Sequence, residues 1–170
     1  KRNLGIKWLC NSRVDTADKD LLLTMREAGC FAIGFGVESA NQTILDNIKK
    51  GTTAKQAKEV ILLCRDIGIM SYAYFMIGFP WDTKRTIYDS IQFAIDTDPD
   101  FVDFFIAYPF PGTLLEKLAI DENLLINNNA QGVKAYAGPA LRTHELSEKE
   151  LNRIRKFALR KFYLRPSYIA

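Results

Sequence analysis

Phe31-Ala32-Ile33-Gly34-Phe35-Gly36-Val37-Glu38-Ser39 decides the fold. A mostly apolar run stops abruptly at a carboxylate and a hydroxyl, as expected of a short strand buried on both faces. Three further runs have this character: Leu4 to Cys10, Met70 to Phe79 and Phe101 to Tyr108. The intervals between them carry helical spacing. Leu21, Leu22, Met25 and Ala28 share one face of a helix over Asp18 to Ala28, with Thr16 or Asp18 to cap its start and Gly29 at its end. Asn41 to Lys49 is a second helix. Thr53 to Ile67 is a third, with Ala57, Val60, Ile61, Cys64 and Ile67 on one face and Gly68 closing it. Thr83 to Thr97 and Thr113 to Ile120 follow their strands in the same way. Apolar strands alternating with helices imply an α/β fold with a parallel sheet. The right-handed crossover places successive strands side by side, as a barrel segment or a wound sheet.

From Asp121 to Ala140 this pattern breaks. Asn127-Asn128-Asn129, Gly132, Gly138 and Pro139 mark a long loop, and a last helix runs from Ser147 to Phe162. Two parts follow: residues 1–120, the βα part, and 121–170, a loop with a helical extension. The chain of 170 residues is short for a closed eightfold βα barrel, which takes at least ~200 residues. Hydrophobic residues make up 48% and charged residues 25%, enough for a core and against a disordered chain. No apolar run approaches the ~18 residues of a membrane span. Cys10, Cys30 and Cys64 form no CxxC pair and no disulfide framework, so a reduced, cytoplasmic setting is the default. The chain starts at Lys1 without an initiator Met and reaches a strand almost at once, as expected of a piece of a longer polypeptide.

Ligands of parallel βα folds bind at the carboxyl ends of the strands. Here those ends read Asn11-Ser12-Arg13-Val14-Asp15, Glu38-Ser39-Ala40-Asn41, Gly78-Phe79-Pro80-Trp81-Asp82-Thr83 and Tyr108-Pro109-Phe110-Pro111-Gly112-Thr113. All are polar or rich in glycine and proline. Glu38 is the sharpest case. Its carboxylate either accepts hydrogen bonds from a diol or an ammonium group, or belongs to the start of the following helix, with Ser39 or Asn41 as N-cap. Gly34 and Gly36 lie inside the strand, so they cannot cradle a pyrophosphate; they suit a close approach or a bulge. Arg13 binds an anionic group or pairs with Asp15 or Glu38. Cys10 fits a buried, inert thiol. His144 is the single histidine, which argues against a triad or a histidine metal cluster. Arg142 to Ala170 holds eight basic and three acidic residues. Without interleaved aromatic platforms, Arg153, Arg155, Lys156, Arg160 and Lys161 fit a solvated helix face better than a nucleic-acid surface.

Taken in order, Gly34-Phe35-Gly36-Val37-Glu38-Ser39, Ile48-Lys49-Lys50-Gly51-Thr52-Thr53, Tyr74-Phe75-Met76-Ile77-Gly78-Phe79-Pro80 and Tyr108-Pro109-Phe110-Pro111-Gly112-Thr113 resemble the radical S-adenosylmethionine (SAM) enzymes. The likeness is to the cobalamin-binding-domain branch, with anaerobic magnesium-protoporphyrin IX monomethyl ester oxidative cyclase and related methyltransferases and methylthiotransferases. Trp8, Arg13 and the closing Phe162-Tyr163-Leu164-Arg165-Pro166-Ser167 fit it too. The resemblance implies a partial (β/α) barrel of the TIM type, with the strands here as the later four of six. It implies SAM and a [4Fe–4S] cluster as cofactors, with cobalamin as a further one, and cleavage of SAM to a 5′-deoxyadenosyl radical. Glu38 and Ser39 would bind the ribose, Ile77 and Gly78 would line the adenine site, and Tyr108 and Pro109 its floor. Arg13 and Lys50 would meet the carboxylate of SAM or the substrate. The chain has no CxxxCxxC, so the cluster ligands are expected outside it, and these residues alone are expected to be inactive. One departure is local: Pro80-Trp81-Asp82-Thr83 stands where the family usually has Pro-Gly-Glu-Thr. The expected partners are a small-molecule substrate, the rest of the parent polypeptide and a second copy through the edge of the Leu4–Cys10 strand, with no membrane. The alternatives are a non-catalytic βα module for a nucleotide or protein partner, and a tRNA-modifying radical SAM enzyme that uses the basic C-terminal segment.

Overall fold

The computed structural model describes residues 5–126 and 139–169. Leu4 of the first expected strand, and Asn127-Asn128-Asn129, Gly132 and Gly138 of the expected loop, lie outside the described residues. Four parallel strands form one sheet in the order β1-β2-β3-β4, so the sequential placement is as expected. They are β1 Trp8–Ser12, β2 Cys30–Glu38, β3 Met70–Ile77 and β4 Phe101–Ile106. Helices alternate with them: α1 Lys19–Glu27, α2 Gln42–Asn47, α3 Ala54–Ile67, α4 Lys84–Thr97 and α5 Leu114–Asp121, then α6 Glu148–Tyr163 and α7 Pro166–Ile169.

The helix starts are set locally. Asp18, Asn41, Thr53, Thr113 and Ser147 each accept a backbone N–H from the first turn that follows. Thr53 with Gln56, and Ser147 with Glu150, complete reciprocal capping boxes. β1 departs most from expectation. It begins at Trp8 and carries on through Asn11 and Ser12, which pair with Gly34 and Phe35. Backbone pairing on an edge strand does not require apolar side chains, so the polarity of Asn11 and Ser12 does not end it. β3 and β4 each stop two residues before the expected ends, where Gly78 and Ala107 begin the connecting turns.

The chain forms two compact units. In residues 1–75 and 92–103, α1 and α3 pack on β2 and on each other. Leu22, Ile33, Phe35, Ile44, Leu45, Ile61 and Phe75 are fully buried there. β3 alternates within this unit: Ser71, Ala73 and Phe75 are buried, whereas Tyr72 and Tyr74 are half-buried on the other face. Tyr72 stacks on Phe101 with ring centroids 4.5 Å apart. In residues 76–91 and 104–170, Ile77, Ile87, Phe104, Leu141, Leu151 and Phe162 form the core. Leu151, Ile154, Ala158 and Phe162 are the buried stripe of α6, as the spacing predicts.

Gly34 has no side chain for a steric reason. A Cβ there would lie 2.6 Å from Cε2 of Tyr74 and closer still to the Asn11 amide oxygen. Gly34→Ala is therefore expected to destabilise the chain by roughly 1–3 kcal/mol through overpacking. Chemical denaturation checks this, and adding Tyr74→Ala should recover part of the loss.

Candidate functional site

Glu38 ends β2 at an irregularity. Gly36 is paired with Tyr74 and Glu38 with Phe75, so Val37 is the extra residue of a bulge. Glu38 itself has φ 65°, and the Ser39 N–H donates to the Val37 carbonyl at 2.9 Å across it. That is a γ-turn centred on a side-chain-bearing residue with positive φ, a conformation that costs about 1 kcal/mol or more and clusters at functional sites. The following helix needs nothing from Glu38. Asn41 is its N-cap, and the Ser39 hydroxyl accepts the Asn41 N–H at 3.1 Å.

The Glu38 carboxylate instead accepts the Lys50 ammonium at 2.8 Å. Both side chains are largely covered, at 19% and 16% exposure. Gly36 makes room for them: a Cβ there would stand 2.6 Å from Oε1 of Glu38 and 2.9 Å from Nζ of Lys50. Lys50 is brought over the strand end by two left-handed residues around it, Lys49 at φ 53° and Gly51 at φ 71°. The Arg13 guanidinium holds this loop from the end of β1. It donates to both carboxylate oxygens of Asp15, at 2.9 and 2.8 Å, and to the Lys50 carbonyl at 2.9 Å. The Arg13 hydrogen bond holds the Asp15 carboxyl below its ordinary range, and Asp15 in turn raises Arg13. The ends of β1 and β2 and the loop after α2 are thus one connected polar network. On the sheet face nearby, the Tyr74 phenol is pushed up, first by burial and then by Tyr72 and Asp103.

In the second unit, the Ile77 carbonyl accepts the Ala107 N–H at 2.8 Å, and Gly78 turns the chain at φ 85°. Both the Gly78 and Phe79 N–H groups donate to Oδ2 of Asp82, at 2.8 and 3.1 Å. Oδ1 of Asp82 accepts the Thr86 hydroxyl at 2.7 Å. Burial pushes the Asp82 carboxyl up to about 6, against the lowering effect of these three hydrogen bonds. Trp81 keeps a negative φ, so its Cβ is accommodated. Tyr108 is buried and packs against Phe110, ring centroids 4.8 Å apart, with Pro109 spanned by a Phe110 N–H to Tyr108 carbonyl bond of 3.0 Å. Asp82 as an organising residue was not expected from the sequence; its signal was a carboxylate four positions after a glycine at a strand end.

Three basic residues of the C-terminal segment are engaged within the unit, among them Arg142, which donates to the Asn123 carbonyl at 3.3 Å. Arg155 donates to the Phe104 carbonyl at 2.7 Å, and Arg165 lies 3.8 Å over the Phe162 ring. Arg153, Lys156, Arg160 and Lys161 are exposed. His144 meets Glu122 at 2.6 Å. The three cysteines are free thiols; Cys30 and Cys64 are buried, whereas Cys10 is half-buried rather than fully enclosed. Burial raises the Cys30 thiol and pushes Cys64 up to about 12, the opposite of what a thiolate ligand needs. No group of three His, Cys, Asp or Glu among the described residues could hold a metal ion. These residues do not fit an iron–sulfur cluster. Among the described residues no helix is long and apolar enough to cross a membrane.

A sheet of four parallel βα units with its polar groups gathered at strand ends is the setting in which family likeness becomes informative. The family model of the radical SAM superfamily matches residues 1–94, and the chain belongs to that superfamily. It is 33% identical over 169 residues to an uncharacterized methyltransferase of Pyrococcus horikoshii, covering 99% of this chain and 37% of that protein. It is 31% identical over 168 residues to the anaerobic magnesium-protoporphyrin IX monomethyl ester cyclase of Rubrivivax gelatinosus, covering 96% of this chain and 30% of the relative. The chain therefore spans about a third of the length of these relatives. Its fold matches the methyltransferase TsrM from Kitasatospora setae, solved with tryptophan substrate and a SAM analogue, with a TM-score of 0.70 at 16% identity over 95% of this chain and 37% of that one. It also matches the cobalamin-dependent enzyme OxsB, with a TM-score of 0.64 at 15% identity over 93% and 28% of the two chains.

Two outcomes follow from the two carboxylates. Lys50→Met and Glu38→Gln should be non-additive, with a coupling of roughly 0.5–3 kcal/mol in a double-mutant cycle read by denaturation. Asp82 makes stability depend on pH. Its carboxyl rises from 3.8 to about 6 on folding, so its contribution to stability is fully present below pH 4 and is lost as pH rises through 6. Unfolding free energies measured from pH 4 to 7 should show wild type losing about 2–3 kcal/mol relative to Asp82→Asn over that window.

Proposed function

We infer that this chain supplies the nucleoside-holding part of a radical SAM enzyme, acting as a methyltransferase or oxidoreductase, with Glu38 taking the ribose hydroxyls of SAM. The observation that carries this is the Glu38–Lys50 pair, a covered carboxylate on a strained turn at the end of a parallel strand. Lys50 occupies one edge of the carboxylate through Oε1. A carboxylate has about four lone-pair sites, so it can keep the ammonium and still accept the O–H groups of a diol. Lys50 fixes its direction, and Arg13 fixes the Lys50 loop. In this reading Arg13 and Lys50 hold the site rather than the SAM carboxylate, because Arg13 is already engaged bidentately by Asp15 and Lys50 by Glu38. Ser39 stands beside the pair. No residue of this chain is assigned to cobalamin. SAM, when bound and reductively cleaved in such enzymes, supplies a radical that abstracts hydrogen from an unreactive carbon. The [4Fe–4S] cluster that this requires would be held by residues outside this chain, so the chain alone would not cleave SAM.

Calorimetric titration tests the reading. Each retained hydrogen bond contributes about 1 kcal/mol net, against several kcal/mol of lost motion. SAM and adenosine should therefore bind this chain with dissociation constants on the order of millimolar. 2′-Deoxyadenosine should bind several-fold more weakly than adenosine, and Glu38→Ala should abolish the difference, whereas His144→Ala should change nothing. Equal binding of the two nucleosides by the wild-type chain would remove Glu38 from the ribose.

A further inference from the structure

α6 has two faces of opposite chemistry. Leu151, Ile154, Ala158 and Phe162 are buried in the core of the second unit. Arg153, Lys156, Phe157, Arg160, Lys161 and Leu164 are exposed, and their recurrence at three- and four-residue intervals sets them along the opposite face. Charge is divided along the helix as well. Glu148 and Glu150 stand in its first turn, and Glu150 is the last acidic residue of the chain. The Glu150 carboxyl is held below its ordinary range by the Ser147 backbone and hydroxyl first, and then by the charges of Lys84 and Arg153. Those two cations thus have an acidic neighbour. Lys156, Arg160 and Lys161 lie on the acid-free part of α6. On α4, the exposed acid next to this face in sequence is Asp89, one residue past Tyr88.

A row of cations alone fits a solvated helix face. The apolar side chains among them do not. Leu164 is 65% exposed and Ile169 67%, and Phe157 and Tyr88 are each 41% exposed with ring centroids 5.4 Å apart. Phe157 and Leu164 lie roughly 10 Å apart along the same face. α7 is fixed beside the end of α6: Arg165 lies 3.8 Å over the Phe162 ring and 5.0 Å over that of Tyr168, and these two rings pack at 5.5 Å. Ile169 is thereby held at the same end as Leu164.

Charge and exposure together select the partner. A single-stranded nucleic acid would use the cations and the two rings, but would leave Leu164 and Ile169, the most exposed of these apolar side chains, in water. A bilayer with anionic headgroups uses both. Its phosphates meet Lys and Arg, and aromatic and aliphatic side chains enter the boundary between headgroups and acyl chains. The long stems of Lys and Arg keep their charges at the headgroups while the apolar side chains go deeper. No helix among the described residues is long and apolar enough to cross a membrane, so contact of this kind is made at the surface.

We propose that the second unit seats on an anionic lipid surface through the C-terminal half of α6 and through α7, with Lys156, Arg160 and Lys161 on lipid phosphates and Phe157, Leu164 and Ile169 in the interface. The acidic first turn of α6 keeps the other half of the helix off that surface. The proposal does not rest on the nucleoside reading above.

Co-sedimentation of the full chain with vesicles tests it. Vesicles of equal parts phosphatidylcholine and phosphatidylglycerol should carry the chain down, and vesicles of phosphatidylcholine alone should not. Binding should fall roughly tenfold or more in about 1 M salt, where the Debye length is about 3 Å. Lys156→Gln, Arg160→Gln and Lys161→Gln made together should lower the partition coefficient roughly tenfold or more. Leu164→Ser with Ile169→Ser should lower it roughly threefold or more and keep the salt dependence. Lys19→Gln, Lys55→Gln and Lys58→Gln in the first unit remove the same charge and should leave it within about twofold of wild type. All these positions are exposed, and the lipid and salt comparisons need no variant. No sedimentation with either vesicle, equal sedimentation with both, or an equal loss in the first-unit variant overturns the proposal. An unchanged partition in the Leu164→Ser, Ile169→Ser chain also overturns it, because charge alone would then account for the binding. Binding of fluorescein-labelled oligouridine, read by anisotropy, without binding to the anionic vesicles overturns it in favour of nucleic acid.

Discussion

The absence of two side chains from the middle of β2 is the constraint on which the first unit depends. At Gly34 the missing Cβ is replaced by the Tyr74 ring, and at Gly36 by the Glu38–Lys50 pair. Each substitution would push a neighbouring strand or an ion pair off the sheet. The bulge at Val37 and the positive φ of Glu38 then reverse the direction that an ordinary strand residue would take. Without Gly36 there would be no room for the carboxylate and its ammonium partner, and without the bulge no turn to present it.

Much of the architecture could be read from residues close together in the chain. The apolar runs, the helix caps at Asp18, Asn41, Thr53, Thr113 and Ser147, and the buried stripe of α6 depend on neighbours within a turn or two. Edge pairing was not legible, which is why β1 lies later than its apolar residues suggest. The site divides along the same line. Arg13 with Asp15 was visible because they lie two positions apart. The partner of Glu38 was not, because it lies twelve residues on and arrives by two left-handed residues that composition does not signal. Asp82 was overlooked because only packing makes an acidic residue buried.

The two carboxylates also show how environment sorts one functional group into different tasks. Glu38 meets a full positive charge at the edge of the solvent, which holds its direction while leaving acceptor capacity. Asp82 meets only neutral donors in the interior, which take three of its roughly four acceptor sites. The first arrangement suits a group that receives a ligand, and the second suits one that shapes the backbone.

The way the turn after β3 is held bears on how it can diverge. Its conformation is carried by Gly78, by Asp82 and by the hydrogen bonds between Thr83 and Thr86, and position 81 contributes no backbone demand. Residue 81 is thus released from the glycine requirement that a left-handed turn would impose. A bulky indole can stand there at no conformational cost, and sequence drift at this one position would alter the wall beside the turn without altering the turn.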